Sequence, residues 1–466
     1  MYKIFGHYIP KALFLLGTTE LTILFFSVFV ATISITASLP PYDGTIVINT
    51  VLFSSVIFIS MVFMGLYRRD LREKPIAVTE RVLLSFCVGL LLLVGIYYVY
   101  PDYFFGQNVF LISATGAFTG VLISRLVFFN RTDEYLKRRV LVIGTGFKAQ
   151  QLESMRRRTD NFGVEILGYI SIPNCSSNMI PDSKIVNKTD DFCFSQLYQY
   201  VEQHKVNELI VALDDRRNQF PVDDMLECKM QGIHIIDINI FLERQQGKIS
   251  LETLNPSAVI YSDGFTRNHF KTCIKFFSDN LISLIMLIFA TPIMLLTALA
   301  ILIESGGRDP IFYRQKRVGK NNQTFNVLKF RSMHLDAEKD GVAKWASKND
   351  SRVTKVGAFI RKTRIDELPQ LFNVLAGDMS FVGPRPERPK FVEDLAEEIA
   401  YYRLRHHIKP GITGWAQINY PYGASVADAK EKLQFDLYYL KHHNLFLDLI
   451  IVMQTVAVIV RSMGSR

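Results

Sequence analysis

Four long apolar segments dominate the start of the chain. They cover residues 12–39, 46–66, 82–100 and 109–129, and each reaches or approaches the roughly 20 residues that a helix needs to cross a bilayer. The first segment is too long for a cleaved signal peptide, and three more segments follow it. The pattern predicts a bundle of four transmembrane helices within residues 1–130.

Charges between these segments predict their orientation. The connections at 40–45 and 101–108 contain no Lys or Arg, whereas the connection at 67–81 carries five and the stretch after the fourth segment carries four more. Basic loops stay on the cytoplasmic side, so both ends of the bundle are expected to be cytoplasmic.

One acidic residue, Glu20, interrupts the first apolar segment. A carboxylate in a membrane helix either finds a partner on another helix or takes part in proton transfer. We favour hydrogen bonding between helices over a proton path, because no other acidic or histidine residue lies in mid-span.

The apolar pattern changes near Arg139 from long segments to short ones. RRVLVIG and the runs 164–170, 208–213 and 233–238 resemble strands, with helical patterns between them. This alternation is typical of a Rossmann-like sheet. We expect this domain to cover residues 131–265.

A GxGxxA turn, formed by Gly144, Gly146 and Ala149, follows the first of these strands. Dinucleotide-binding domains use such a turn for pyrophosphate, and they also place Asp or Glu at the end of the second strand. Here the second strand ends in GYIS, residues 168–171, without a carboxylate. The sequence therefore argues against NAD and favours a structural or regulatory domain, with dinucleotide binding as the alternative.

The segment 281–303 contains 23 uncharged residues, which is long enough for a fifth transmembrane helix. Thr291 and Pro292 lie in its middle, where proline removes a helix hydrogen bond and favours a bend. Both flanks are basic, so a spanning helix would move one basic cluster to the outside. We predict a re-entrant helix over about 275–303 that bends at a Thr291-Pro292 hinge and returns, with a plain span as the alternative.

The stretch 361–388 carries the candidate chemistry. An adjacent acid pair, Asp366 and Glu367, lies between two basic clusters. These clusters consist of Arg361, Lys362 and Arg364 on one side and Arg385 and Arg388 on the other. Two more basic residues, Lys329 and Arg331, have period-two spacing, so both can project from one face of a strand.

Proline and glycine predict the local structure around the acid pair. Pro369 suits a first helical turn and Gly377 suits a helix end, which predicts a helix over about 367–376 with Asp366 as its N-cap. A helix N-terminus with nearby arginines keeps a carboxylate ionised and attracts phosphate. This arrangement indicates attack on phosphorus or a metal bridge, and the alternative is a capped surface helix with solvated charges.

Composition agrees with a membrane protein that has a basic soluble part. Hydrophobic residues make up 49% of the 466 residues, and the formal net charge is +9. The five cysteines have no CxxC spacing, which argues against a zinc site or a disulfide framework. The sequence has no nucleic-acid motif, so we assign its positive charge to phosphates of a small substrate and to anionic lipids. The last apolar run, 449–460, is too short to span and is expected to pack in a core or lie on the membrane.

Ordered motifs in the second half resemble the bacterial sugar transferase family, the monotopic phosphoglycosyl transferases. The motifs are FYRQKRVGK, VLKFRSM, RIDELPQLFNVLAGDMSFVGPRPE, KPGITGWAQIN and FDLYYLKHHNLFLDL, with Lys275, Asp279 and Pro292 in and before the apolar segment. The first half resembles the large members, which add four transmembrane helices and a Rossmann-like domain. The resemblance covers essentially the whole chain and implies an α/β catalytic domain over 266–466 with a re-entrant membrane hairpin. Thr291 stands where serine is common, and it supplies the same hydroxyl for the freed backbone.

The resemblance implies transfer of a sugar-1-phosphate from a UDP-sugar to undecaprenyl phosphate, with release of UMP. It implies a covalent aspartyl-phosphosugar intermediate, with glucose-1-phosphate or galactose-1-phosphate as the expected group. The reaction would be the first membrane step of exopolysaccharide or lipopolysaccharide O-antigen repeat synthesis. The chain also resembles the subgroup associated with exosortase-linked exopolysaccharides.

Residue roles follow from the same resemblance. Asp366 is expected to be the nucleophile and Glu367 to assist it, and both are candidate ligands for Mg²⁺, the cofactor that the family implies. The expected substrate and phosphate contacts are Lys329, Arg331, Arg361, Arg364, Arg385 and Asp436.

The resemblance also implies a location and partners. We expect a multi-pass protein of the bacterial inner membrane, surrounded by lipid, with its soluble domains and catalytic site on the cytoplasmic face. A homodimer and contacts with other polysaccharide-assembly enzymes are further expectations, and nucleic acid is not an expected partner.

Two other functions stay open at this point. One is a membrane-anchored NAD-dependent enzyme acting on nucleotide sugars, although the ribose carboxylate and a Tyr-x-x-x-Lys pair are missing near the glycine turn. The other is a non-catalytic scaffold for polysaccharide assembly, which the intact acid pair argues against. Bound nicotinamide would favour the first, and UMP release would exclude the second.

Overall fold

The computed structural model divides the chain into two compact units, Met1–Gly247 and Lys248–Arg466. It describes residues 2–4, 7–9, 11–36, 44–67, 75–135, 137–153, 155, 163–172, 178–188, 196–215, 220–254, 264–265, 269–334, 352–420, 423 and 425–460.

The first unit begins with a bundle of apolar helices. After a short antiparallel ribbon come four helices, and the elements are β1 (Tyr2–Ile4), β2 (His7–Ile9), α1 (Lys11–Thr36), α2 (Gly44–Phe63), α3 (Pro75–Val99) and α4 (Gln107–Tyr135). Each helix is long and apolar enough to cross a membrane, which confirms the four predicted helices. Their inward faces share an apolar cluster that includes the fully buried Leu24, Phe53, Val82 and Val121.

Glu20 forms a buried ion pair with Arg125, which joins α1 to α4. Arg125 Nε and Nη2 lie 2.6 and 2.8 Å from the two carboxylate oxygens. Tyr67 and Ser124 donate to the same carboxylate, and Arg125 Nη1 donates to the carbonyl of Leu66. These contacts confirm that Glu20 bonds between helices, and they add a cationic partner that the sequence analysis had not assigned.

A parallel sheet follows the bundle in the same unit. Its elements are β3 (Arg138–Ile143), α5 (Phe147–Glu153), β4 (Val164–Ile170), α6 (Leu197–Gln203), β5 (Glu208–Val211), α7 (Val222–Met230), β6 (His234–Asp237) and α8 (Ile238–Gln246). The strand order is β4–β3–β5–β6, and all three pairings are parallel. Val140 and Val142 belong to one buried cluster and Leu141 and Ile143 to another, so both faces of the sheet are covered. The predicted Rossmann-like fold is confirmed.

The second unit combines a long apolar helix with two small sheets. Its elements are α9 (His269–Glu304), β7 (Phe312–Val318), β8 (Thr324–Phe330), α10 (Lys355–Lys362), α11 (Gln370–Leu375), β9 (Ser380–Val382), α12 (Pro389–Glu398), β10 (Gly411–Thr413), α13 (Trp415–Asn419), α14 (Val426–His442) and α15 (Leu445–Val460). β7 pairs antiparallel with β8, and β9 pairs parallel with β10. In α15, Leu447 and Ile451 are fully buried, so this part of the final apolar run packs in the core.

One face of α9 packs against its own unit along most of the helix. The buried residues recur every three to seven positions and are Asp279, Ser283, Ala290, Met294, Thr297 and Ile301. Large apolar side chains such as Leu281, Ile288, Leu295 and Ile303 are exposed on the same helix. A helix with an apolar exposed surface and one protein-covered face suits embedding at the edge of a membrane.

α9 runs through Pro292 as a continuous helical segment, and the bend predicted at the Thr291-Pro292 hinge stays a prediction. Pro292 has no N–H for the carbonyl of Ile288. Thr291 Oγ1 donates to the carbonyl of Leu287 at 2.6 Å, so the threonine does not bond to the freed carbonyl as expected. One lost hydrogen bond does not end a helix whose buried face is packed on both sides of the proline.

The packing of α9 and the basic flanks lead to a prediction of membrane topology. In a cysteine-free background, His269→Cys and Arg308→Cys lie before and after the apolar part of α9. Both should resist an impermeant maleimide applied to intact cells, because both ends should stay on the cytoplasmic side. Asp102→Cys, between α3 and α4, is the matched control and should react. Labelling of Arg308→Cys from outside would show that α9 crosses the membrane.

Candidate active site

The acid pair lies in a short 3-10 turn, Ile365–Glu367, between α10 and α11. Asp366 and Glu367 are each 9% exposed, so neither is a solvated surface charge. Asp366 is not the predicted N-cap, because α11 begins only at Gln370 with Pro369 as its N-cap. Gly377, with φ +85°, follows the end of α11 as predicted.

Arg364 causes the difference from the predicted helix. Its φ of 60° lies in the left-handed region, which is uncommon for a residue with a side chain. The chain then closes i to i+3 hydrogen bonds from Glu367 N to the carbonyl of Arg364 and from Leu368 N to that of Ile365. This tight turn directs both carboxylates toward the protein interior. Strain of this kind is often found at functional sites.

Glu367 is held by three cations. Lys329 Nζ and Arg385 Nη2 each lie 2.9 Å from Glu367 Oε1, and Arg364 Nη1 lies 3.8 Å from the same oxygen. Burial opposes the charge, but Arg385 and Lys329 outweigh it and hold the pKa of Glu367 well below its ordinary value. Glu367 is therefore an ionised, fixed residue at the centre of the site.

Asp366 has a different environment although it is adjacent in sequence. Burial and the charge of Glu367 raise the pKa of Asp366, and nearby cations only partly offset this. Asp366 Oδ1 is buried without a hydrogen-bond partner, and so is Arg361 Nη1. A buried orphan carboxylate oxygen is costly unless another group binds it. The site thus provides one free anionic oxygen and one free guanidinium N–H for a ligand.

The structure separates the two basic residues that were predicted to share a strand face. Lys329, in β8, reaches Glu367, and burial lowers the pKa of its ammonium group despite the nearby carboxylates. Arg331 follows the end of β8 and pairs with Asp309. Period-two spacing along the sequence therefore did not predict the partner of either residue.

Asp436 lies behind the site rather than at its surface. It is 2% exposed on α14, and its Oδ2 lies 2.7 Å from Arg405 Nη2. Arg405 also donates to the Tyr402 hydroxyl at 2.8 Å and to the backbone carbonyl of Arg385 at 3.1 Å. Asp436 and Arg405 therefore position the loop that carries Arg385.

A small open depression lies beside Lys329 and Arg385, the two cations that contact Glu367. Its lining includes the cationic side chains of Arg317, Lys329 and Arg385 together with Gln370. Arg317 donates to Gln315 and to the carbonyl of Pro386, which fixes its guanidinium. Three cations around one depression suit a ligand with more than one phosphate.

Two residues of the site were not predicted from the sequence to belong to it. Arg317 belongs to the basic flank that follows the apolar segment and was not predicted to be a site residue, and neither was Arg405. Both lie in or beside motifs that carried the family resemblance, FYRQKRVGK and KPGITGWAQIN. A buried arginine cannot be told from a solvated one by its neighbours in sequence, so the spatial partner was the missing information.

The acid pair is a candidate for holding part of a magnesium site. Among the described residues, no group of three or more His, Cys, Asp or Glu is placed to hold a metal ion. Mg²⁺ often binds through one or two carboxylates and the phosphates of a substrate, so a full protein ligand set is not required. The unpartnered Asp366 Oδ1 fits this mode, whereas Glu367 Oε1 is already occupied by cations.

Comparisons with known proteins identify the family of the chain. A family model described as bacterial sugar transferase matches residues 270–462, and one described as a CoA-binding domain matches residues 62–228. The UDP-glucose:undecaprenyl-phosphate glucose-1-phosphate transferase of Klebsiella pneumoniae is 31% identical over 385 residues, 80% of each chain.

Two further relatives differ in the sugar that their names contain. The protein named UDP-glucose:undecaprenyl-phosphate glucose-1-phosphate transferase in Escherichia coli K12 is 33% identical over 70% of this chain and 68% of its own. The UDP-N-acetylgalactosamine-undecaprenyl-phosphate N-acetylgalactosaminephosphotransferase of Aeromonas hydrophila is 40% identical over 242 residues. That match covers 52% of this chain and 56% of the Aeromonas protein.

The buried Arg405–Asp436 pair leads to a stability prediction. Arg405→Ala leaves Asp436 buried without its cation, which should cost about 3–5 kcal/mol of unfolding free energy. Arg403→Ala is the matched control, because Arg403 lies in the same 3-10 turn but is exposed, and it should change stability by no more than about 0.5 kcal/mol. Denaturant unfolding of the purified protein in detergent measures both. Equal midpoints for the two variants would contradict a structural role for the pair.

Proposed function

Because this chain belongs to the bacterial sugar transferase family, we propose that it transfers a sugar-1-phosphate from a UDP-sugar to undecaprenyl phosphate and releases UMP. The observation that carries the proposal is the acid pair, in which Glu367 is fixed by cations while Asp366 keeps an unpartnered buried oxygen. A carboxylate oxygen that is desolvated and unbonded is a competent nucleophile toward phosphorus.

The proposed reaction has two displacements. First, an Asp366 carboxylate oxygen attacks the phosphorus that carries the sugar, and the bond from that phosphorus to the bridging oxygen breaks. UMP leaves with the electron pair, and the sugar phosphate stays on Asp366 as an acyl-phosphate. An oxygen of undecaprenyl phosphate then attacks the same phosphorus and releases the Asp366 carboxylate. One phosphoanhydride replaces another, so no further energy source is needed.

The surrounding charges support each displacement. Lys329 and Arg385 lie beside the acid pair, where they can contact the phosphate oxygens as charge develops on them. Arg361 Nη1 is buried and unpartnered, so it can donate to a phosphate oxygen without first breaking another bond. Arg364 stays within reach of Glu367 and supports the turn. Asp436 is assigned a positioning role through Arg405.

Ionisation of Asp366 sets a pH limit for the proposed first step. Burial and Glu367 raise the pKa of Asp366, so the nucleophile is protonated at a higher pH than an ordinary aspartate. Lys329, Arg364 and Arg361, which oppose this rise, must keep it ionised during turnover. The rate should therefore fall on the acidic side as Asp366 gains a proton.

Magnesium has a defined place in this proposal. The carboxylate oxygen of Asp366 that does not attack, with Glu367 as its neighbour, would hold the ion together with the diphosphate of the donor. When bound there, Mg²⁺ neutralises phosphate charge and so favours departure of UMP. The residues of the chain still supply the nucleophile and the fixed cations.

The long apolar helices support the choice of a lipid acceptor. Four helices of the first unit and α9 are long and apolar enough to cross a bilayer, and α9 belongs to the unit that carries the acid pair. We propose that the site faces the cytoplasm at the depth of lipid headgroups, where undecaprenyl phosphate presents its phosphate. The soluble UDP-sugar then reaches the site from the aqueous side.

Glucose-1-phosphate is the proposed group, with galactose-1-phosphate as a close alternative. Relatives that match over most of the chain, from Klebsiella and Escherichia, have glucose in their names. N-acetylgalactosamine-1-phosphate is a second candidate, because the Aeromonas relative has the higher identity over the part that it matches.

Replacement of the proposed nucleophile tests the mechanism. Asp366→Asn keeps the size of the side chain but removes the anionic oxygen, so UMP release should fall by several orders of magnitude. Wild-type protein incubated with labelled UDP-sugar and no lipid should release UMP and keep a covalent label that hydroxylamine removes. Asp378→Asn, at an exposed acid just after α11, is the matched control and should behave like wild type.

Two results would argue against the double displacement. The first is near-normal turnover by Asp366→Asn with an intact fold. The second is the absence of a covalent label when the acceptor is withheld from an active enzyme. Direct attack by the lipid phosphate, with the acid pair holding magnesium, would then be the better mechanism.

A panel of donors tests the proposed sugar. UDP-glucose, UDP-galactose and UDP-N-acetylgalactosamine are each supplied with undecaprenyl phosphate, and UMP release is compared at equal concentration. We expect the largest kcat/KM with UDP-glucose. A clear preference for UDP-N-acetylgalactosamine would replace the proposed sugar and leave the mechanism unchanged.

A further inference from the structure

The glycine turn of the first unit lies at the position where open parallel sheets bind ligands. In the order β4–β3–β5–β6, the connection after β3 leads to β4 on one side and the connection after β5 leads to β6 on the other, so the crevice between the ends of β3 and β5 is the topological switch point. The turn after β3 contains Gly144 and Gly146, and Gly144 has φ +116°. A dinucleotide or CoA would place its pyrophosphate against this turn.

A carboxylate of the chain already occupies the turn. Asp214 follows β5 and crosses the crevice, where its Oδ2 accepts from Phe147 N at 2.7 Å and its Oδ1 accepts from Lys148 N at 2.9 Å. These two N–H groups open α5, and they are the donors that a bound phosphate would use. Lys148 Nζ also donates to the carbonyl of Leu213 at 2.9 Å, which ties the same two segments together.

The glycine at the turn serves this internal contact. A Cβ built on Gly146 would lie 2.0 Å from Asp214 Oδ2, a distance that no real Cβ can keep. Close approach of an anion to the backbone is the usual reason for glycine at this place in a nucleotide-binding turn. Here the approaching anion is the side chain of Asp214.

The position that would contact the ribose of a dinucleotide, at the end of β4, is also hydrogen-bonded to another residue of the chain. β4 ends at Ile170, and the next residue, Ser171, supplies no carboxylate for a ribose. Asn187 pairs with the backbone of Ser171 in both directions, since its Oδ1 accepts from Ser171 N at 2.7 Å and its Nδ2 donates to Ser171 O at 2.6 Å. Both places at which the fold normally contacts a dinucleotide are therefore bonded to the chain itself.

We propose that Asp214 is a built-in counter-ion of the glycine turn, and that this domain accordingly binds neither CoA nor a dinucleotide there. Although Asp214 is exposed, a ligand phosphate would have to replace two hydrogen bonds to a charged group. Each such bond corresponds to roughly tenfold to hundredfold in an equilibrium constant. The name CoA-binding domain thus describes the fold of residues 62–228, and the residues at the turn do not fit that ligand.

Hydrogen exchange of the full chain in detergent tests the proposal. In the wild type, millimolar CoA or NAD should leave exchange of the peptide covering residues 144–153 unchanged. Asp214→Ala should raise the exchange rates of the Phe147 and Lys148 amides roughly tenfold to hundredfold, because both donors lose their partner. Asp223→Ala, at an exposed acid in the first turn of α7, is the matched control and should not alter this peptide.

A conservative variant covers the case in which Asp214→Ala unfolds the domain. Asp214→Asn keeps the size of the side chain but retains only one oxygen, so one of the two amides should exchange faster and the other should stay protected. Unchanged exchange in both variants would overturn the counter-ion role. Saturable binding of CoA or NAD to the wild type, with slower exchange at the turn, would overturn the proposal as a whole.

Discussion

The contact of Glu367 with Lys329 and Arg385 holds the catalytic unit in its working arrangement. A single carboxylate oxygen joins β8, the turn after α10 and the loop after β9, which are remote in sequence. Each of these charges would be costly to bury alone, and together they satisfy one another. Because Glu367 takes up the cations, its neighbour Asp366 is left buried with a free oxygen. The asymmetry between two adjacent acids is what turns a structural ion cluster into a proposed nucleophilic site.

The loop that supplies Arg385 is fixed from two directions. Behind it, Arg405 links Asp436 to the carbonyl of Arg385. At the other end of the same segment, Ser380 in β9 donates to Asp279 of α9 at 2.6 Å. The three-residue strand β9 therefore connects the apolar helix to the loop that completes the acid pair. A reaction between a soluble donor and a lipid needs such a connection, since the phosphates must meet at a fixed depth.

Sequence patterns predicted the helices and strands better than they predicted the contacts between side chains. The spacing of apolar residues predicted the four helices and the four parallel strands, because burial of apolar side chains determines that spacing in both. They could not pair Glu20 with Arg125, 105 positions away, or place Asp436 behind Arg405. The predicted helix at Asp366 was wrong because a left-handed Arg364 forms a 3-10 turn first, and propensity gives no sign of a non-glycine residue in that region. The helix continues through Pro292, because its buried face is packed on both sides of the proline, and the predicted bend there stays a prediction.

The two anion-binding motifs of the chain show why a motif and a site differ. At the glycine turn, the GxGxxA pattern left dinucleotide binding open as an alternative, but both backbone donors already bond to Asp214. At the acid pair, the sequence indicated attack on phosphorus or a metal bridge, and Asp366 Oδ1 and Arg361 Nη1 are without hydrogen-bond partners. Buried polar groups in folded proteins are nearly always hydrogen-bonded. The carboxylate of Asp214 stabilises the glycine turn in this way, so the turn needs no ligand. At the acid pair, polar groups are buried without hydrogen bonds, which costs free energy. A bound phosphosugar would supply those bonds, and the free energy that it recovers would contribute to binding.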